Sequence, residues 1–168
     1  VAEYKTPKPA VRESGLRLLT STFRTSQPDV FDLRLNSHSR LNLILALNEA
    51  IAAGADEALM LDPAGFVSSC NATNFFWVKD GEVRSSTGEF CFNGVTRANV
   101  IRLCRDNGLP IRLDNFPVED ARGADEAFVT GTFGGLTPVR EIDGRHLPLA
   151  LPGPLTVRLR GLYDALKD

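Results

Sequence analysis

Between Glu57 and Glu82 the chain reads EALMLD, FVSSCNA and NFFWV, three short apolar runs parted by Pro63-Ala64-Gly65 and closed by Lys79-Asp80-Gly81-Glu82. Short apolar runs bounded by turn residues are strands, and Asp-Gly supplies the positive backbone angles of a tight hairpin. The fold must therefore carry a sheet with antiparallel pairs. On either side lie runs with helical periodicity. LNLILALNEAIAAG begins near Leu41 and stops at Gly54, and GVTRANVIRLCRDNG spans residues 94–108. LRLLTSTFR (16–24), PIRLDNF, EAFVTGT (126–132) and PVREI (138–142) read as further strands, and residues 118–124 as a short turn or helix. Pro152-Gly153-Pro154 introduces a terminal helix, LTVRLRGLYDALKD. The pattern predicts an α/β (α+β mixed) domain over residues 16–168, with about three substantial helices and an extended lead-in segment over 1–15.

A chain of 168 residues is long enough for a sizeable core, and a net charge of −2 gives no basic footprint for nucleic acid or an anionic membrane. No apolar run approaches the ~20 residues that span a bilayer, and no signal peptide opens the sequence. Cys70, Cys91 and Cys104 lack paired spacing and read as buried thiols of a cytoplasmic protein. The chain starts at Val1, which leaves a trimmed start or a fragment open.

The residue types that carry chemistry need weighing one by one. Ser37, His38 and Ser39 stand side by side, but adjacent side chains diverge on a strand and do not face each other on a helix. Neither serine can use His38 as its base, and a helix-capping role for Ser37 or Ser39 is the better reading. At Gly94-Val95-Thr96-Arg97 a glycine turn meets a helix N-terminus, where free N–H groups and the dipole favour an anion. Thr96 adds a hydroxyl and Arg97 a positive charge; an ordinary helix start is the competing reading. TGTFGG (130–135) is a second Gly/Thr cluster at a strand end, where backbone amides can be free to meet a ligand. Glu119, Asp120, Asp125 and Glu126 read as solvated surface and turn, and Phe75, Phe76 and Trp77 as one packed sheet face.

The order of SRLNLILALNEAIAAGADEALMLDPAGFV, NATNFF, NGVTRANVIRL, GADEAFVTGT and TPVREIDGR resembles the large C-terminal domain of the class IV aminotransferases. These are fold-type IV enzymes that use pyridoxal 5′-phosphate, the branched-chain and D-amino-acid aminotransferases among them. The resemblance implies that the Val95 amide and the Thr96 amide and hydroxyl bind the cofactor phosphate, with Thr132 as a further contact. The amides near Thr132 and Phe133 would face the substrate carboxylate. It also implies a homodimer, a small-molecule amino acid or keto acid of the branched-chain type as substrate, and a small N-terminal domain that this chain does not contain.

Two departures are chemical. Setting SRLN on its family counterpart puts Asn36 where the lysine that links to the cofactor belongs. An amide is not a nucleophile, so Asn36 can neither form that link nor carry a proton. Lys5, Lys8, Lys79 and Lys167, the only lysines, offer no evident replacement, and Arg40 stays protonated. Counting back from Asn74 puts Ser69 where the family has the glutamate that faces the ring nitrogen. A serine can hydrogen-bond that nitrogen but brings no negative charge. Ordinary transamination is therefore in question, and a lyase-like or non-catalytic protein binding a phosphorylated ligand or a protein partner is the alternative.

Overall fold

In a computed structural model, residues 9–166 are described, and within the first helix side chains are described from Val11 onward. The elements follow the order α1 (Pro9–Ser14), β1 (Leu16–Arg24), α2 (Leu41–Ala52), β2 (Glu57–Leu61), β3 (Val67–Cys70), β4 (Asn74–Lys79) and β5 (Glu82–Ser85). Then come α3 (Val95–Asp106), β6 (Ile111–Leu113), α4 (Val118–Arg122), β7 (Glu126–Gly131), β8 (Gly135–Ile142), β9 (Arg145–His146) and α5 (Pro154–Asp164). The mixed α/β class and the three long helices, α2, α3 and α5, match the sequence reading. The lead-in does not: Pro9–Ser14 is helical, because Pro9 can open a helix without needing its missing N–H. The rest of that expectation, residues 1–8, lies outside the described residues.

The strands form one mixed sheet in the order β3-β2-β1-β8-β7-β4-β5-β6, with β9 paired to β8. β1 runs parallel to both β2 and β8, while β7 pairs antiparallel with β4 on one side and β8 on the other. The two ends of the sheet meet. Phe66, before β3, bridges to Pro117, beyond β6, and the Val67 N–H donates to the Phe116 carbonyl at 2.8 Å. The sheet thus curls almost into a barrel.

Strand alternation then sorts the side chains. Leu18, Leu59, Phe75, Trp77, Val129 and Ile142 fill the interior of the curl. Phe76, Val83, Phe128 and Leu136 point outward under α3 and α5, and Ala58 and Met60 lie under Ala46 and Ala50 of α2. The aromatic run is therefore divided, not gathered on one face as expected. Trp77 meets Phe116 edge-on inside, while Phe76 stacks on Phe128 outside with centroids 5.2 Å apart. A strand buried on both faces reads as a continuous apolar run, which hides its alternation.

The acidic segment is also less exposed than its composition suggests. Asp120 accepts from the Trp77 indole at 2.7 Å and pairs with Arg84, and Asp125 takes the Asp80 N–H and the Lys79 ammonium. Glu126 is buried and accepts from the Leu155 and Thr156 N–H groups and the Thr156 hydroxyl. It caps α5 from across the fold, satisfying donors that a helix start leaves open. All three cysteines are free and buried, as read from their spacing.

Candidate functional site

Helices α2 and α3 lie on the same outer side of the sheet, and both begin at one cavity of about 560 Å³, within the usual range for small-molecule sites. Asn36, Ser69, Val95, Thr96, Thr132 and Phe133, six residues spread over most of the sequence, all line it. Four structural devices bring them together, strand β3 carrying Ser69. The hairpin between β7 and β8 carries Thr132 and Phe133, the turn into α3 carries Val95 and Thr96, and the loop before α2 carries Asn36.

The α3 end is built for an anion. Gly94 sits in an extended conformation at the N-cap, and no side chain caps the helix, so its first N–H groups have no intrahelical acceptor. The Thr96 side chain is buried against Tyr163 of α5, with the two hydroxyls 3.4 Å apart. Two more lining residues, Thr25 and Thr130, are buried with hydroxyls that have no hydrogen-bond partner among the described residues. Arg97 does not join them. Its guanidinium turns away from the cavity, donating to Asn93 at 2.9 Å and to the Ser86 carbonyl at 2.7 Å. It braces the loop that supplies Phe90, Cys91 and Phe92 to the cavity wall, and burial lowers its pKa.

Asn74, which the sequence reading used only as a counting mark, ties the walls together. Its amide donates to Ser69 Oγ at 3.2 Å and to the Phe92 carbonyl at 2.8 Å, and its oxygen accepts from the Gly94 N–H at 3.3 Å. A β-carbon on Gly94 would come within 2.9 Å of that oxygen. An asparagine opening the apolar run NFFWV, where a buried amide needs partners, is the signal that could have marked Asn74.

Ser69 in turn donates to the Thr73 carbonyl at 2.7 Å, so its one proton is already engaged. The Thr73 hydroxyl donates to Glu57 at 2.6 Å. Burial of the Glu57 carboxyl pushes its pKa up to about 7, against the lowering effect of the Thr73 hydrogen bond. Glu57 itself does not line the cavity.

The opposite end is a self-contained loop. Arg40 donates through Nη2 to Asn36 Oδ1 at 2.7 Å and through Nε to the Ser37 carbonyl at 2.8 Å. Arg40, not a serine, is the N-cap of α2, and no side chain caps it. The expected serine cap fails because Ser37 Oγ accepts instead from the Ser39 N–H at 3.1 Å, ahead of the helix. His38 is exposed and does not line the cavity. Among the described residues no lysine, aspartate or glutamate lines it; Arg40 is its one charged wall residue. Lys79 pairs with Asp125 at the hairpin tip, and Lys5, Lys8 and Lys167 lie outside the described residues.

No described helix is long and apolar enough to cross a membrane.

Known proteins are similar to this chain in sequence and in fold. A branched-chain-amino-acid aminotransferase of Pseudomonas aeruginosa is 37% identical over 152 residues, covering 90% of this chain and 50% of that protein. The branched-chain-amino-acid aminotransferase-like protein 2 of Arabidopsis thaliana is 38% identical over 168 residues, all of this chain and 30% of that protein. The crystal structure of the branched-chain amino acid aminotransferase from Thermobaculum terrenum in its pyridoxal-phosphate form superposes with a TM-score of 0.89 at 28% identity. That superposition covers 96% of this chain and 53% of the other. The chain thus spans half the length or less of these curated relatives. The profile of the family described as amino-transferase class IV matches residues 1–142, and with the curled sheet and the cavity at two helix starts this places the chain in the class IV aminotransferase family.

Proposed function

We propose that this chain forms the phosphate-binding side of a pyridoxal 5′-phosphate site in a branched-chain aminotransferase-like protein, and that it holds the cofactor without a covalent link. The observation that carries the reading is the cavity itself. It gathers an uncapped helix start, the Thr96 hydroxyl and the unpartnered Thr130 hydroxyl, and it has no lysine among its described lining residues. The Val95 and Thr96 amides and the Thr96 hydroxyl would hold the phosphate, with Thr132 beside them. The residues fit a phosphate. They do not fit a covalent anchor.

When bound, pyridoxal phosphate supplies an electron-withdrawing ring that stabilises negative charge at the substrate's α-carbon. Ser69 would face the ring nitrogen, and its hydrogen-bonding state then matters. With its proton given to the Thr73 carbonyl it presents only a lone pair, which suits a protonated nitrogen, yet it offers no charge to keep that nitrogen protonated. Asn36 holds no transferable proton for the substrate α-carbon, and Arg40 stays charged. Amides near Thr132 and Phe133 would orient the carboxylate of a small amino or keto acid. The opposite wall would come from a small N-terminal domain, in a cytoplasmic homodimer.

The lack of an amine at the cavity favours one further reading, a family member that binds the phosphorylated ligand without transaminating. Borohydride reduction of the protein with pyridoxal phosphate, followed by peptide mapping, tests both. The wild-type chain is expected to show no labelled lysine, while Asn36→Lys is expected to label at position 36. A specific label on a wild-type lysine overturns the non-covalent reading, and an unlabelled Asn36→Lys protein that still binds the cofactor overturns the placement of Asn36. Amino-group transfer to a branched-chain keto acid by unlabelled wild-type protein would retire the binding-only reading.

A further inference from the structure

The α2 end of the cavity carries two features that the proposed cofactor contacts leave unused. The first is Arg40, the one charged residue on the described wall. Its Nε donates to the Ser37 carbonyl and its Nη2 to Asn36 Oδ1, so one edge of the guanidinium is fixed against two other residues of the same wall. Among the described residues Nη1 has no hydrogen-bond partner and Arg40 no ion pair. Asp32, an acid in the same loop, is taken by Arg34 at 2.8 Å. A guanidinium held along one edge presents the other, and that fork matches the paired oxygens of a carboxylate.

The second feature is Thr25, just past β1. It lines the cavity, is only 4% exposed, and has a hydroxyl with no hydrogen-bond partner among the described residues. Asn42, in the first turn of α2, places it beside that helix start. The Asn42 amide donates to the Arg24 carbonyl at 3.2 Å and lies 3.5 Å from Ser26 Oγ, gripping the residues on either side of Thr25. A buried hydroxyl without a partner is costly, and on a cavity wall it marks a polar atom that a ligand supplies. Helix α2 begins here with no side-chain cap, so its first turn adds open N–H groups and the positive end of the dipole. Both helix starts thus favour negative charge within one cavity, and no acid among its described lining residues would welcome a cation.

We propose that Arg40, Thr25 and the first turn of α2 form a second anion seat, so that the cavity selects a phosphorylated ligand with a carboxylate away from its phosphate and discriminates against one with an ammonium there. The proposal rests on the assignment of the phosphate to the α3 end. It makes Arg40 a specificity-determining residue.

The probes are 4-pyridoxic acid 5′-phosphate, pyridoxine 5′-phosphate and pyridoxamine 5′-phosphate. They share a phosphate and a pyridine ring, and carry a carboxylate, a hydroxymethyl and an ammonium group at the same ring position. Each is titrated calorimetrically into the full-length protein at constant ionic strength. The carboxylate compound is expected to bind about tenfold more tightly than the ammonium compound, the scale of exposed charge contacts of opposite sign, with pyridoxine phosphate between them. Arg40→Gln is expected to shrink that ratio to below about twofold, and Arg40→Lys to keep most of it. Thr96→Val is expected to weaken all three compounds alike and leave the ratio intact. Equal affinities in wild type, tightest binding of the ammonium compound, or a ratio unaltered in Arg40→Gln overturns the charge selection and leaves the phosphate seat standing. Binding of none of the three overturns the phosphate assignment and this proposal with it. Arg40 is exposed and outside the buried networks, so its variants stay folded and readable.

Discussion

The two ends of the cavity are made differently. At the α3 end, Asn74 joins strand, loop and helix start through hydrogen bonds, and Thr96 is buried with its hydroxyl 3.4 Å from that of Tyr163 in α5. At the α2 end, the loop from Asn36 to Arg40 bonds mainly to itself, and its side chains are largely exposed. The first end holds its geometry whether or not a ligand arrives. The second has no buried network to preserve, so its residues can change without unfolding the domain. A braced helix start can thus persist while the loop across the cavity from it varies.

That contrast can be broken most severely at Asn74. Asn74→Ala removes an amide that serves three walls and leaves the Phe92 carbonyl without it; we expect a loss of roughly 3–4 kcal/mol of stability in urea unfolding. A loss below ~1 kcal/mol would mean the α3 end is no better braced than the other. Next comes Glu57, which reaches the cavity wall through Thr73. Its carboxyl has a folded pKa of about 7, above the ordinary 4.5, so the native state binds its proton more tightly than the unfolded chain does. Its contribution to stability is fully present below pH ~4.5, declines between there and pH ~7, and is gone above. Glu57→Gln should flatten this decline and stabilise the protein at pH 8 by up to about 3 kcal/mol. An unchanged pH profile would place the titration elsewhere.

Smaller effects sharpen the same contrast. Thr96→Val keeps the volume but removes a hydroxyl, and should weaken binding of pyridoxal phosphate by roughly tenfold, about 1.4 kcal/mol, with little change in melting temperature. Arg40→Gln, at the looser end, should alter stability by no more than ~0.5 kcal/mol, because an exposed arginine and its local bonds contribute little. A large loss there would show that the α2 loop is structural after all.

Much of this was legible from the residues. Asp80-Gly81 marked the β4–β5 hairpin, since both adopt the positive φ values its turn requires, 50° and 78°. Helices α2 and α3 followed from periodicity and their terminal glycines. The co-location of Thr96, Ser69 and Thr132 was implied by family likeness and not by spacing, because it depends on which strands neighbour one another. Long-range satisfaction was hidden. Glu126 looks like surface charge until α5 is seen to start beside it, and Arg97 looks like an anion ligand until Ser86 and Asn93 are seen to claim it. Local sequence reports the polar group a residue carries; only the fold reports who uses it.

The position of β1 has a consequence for synthesis. It lies between β2 and β8, and the β8 residues that flank it, such as Val139 beside Leu16, are translated on the order of a hundred residues later. Until β8 leaves the ribosome, one edge of β1 stays unpaired and the sheet lacks the strand that joins its two halves. The nascent chain therefore exposes an open strand edge throughout synthesis of the segment between β1 and β8, the kind of surface that chaperones engage and that aggregation exploits.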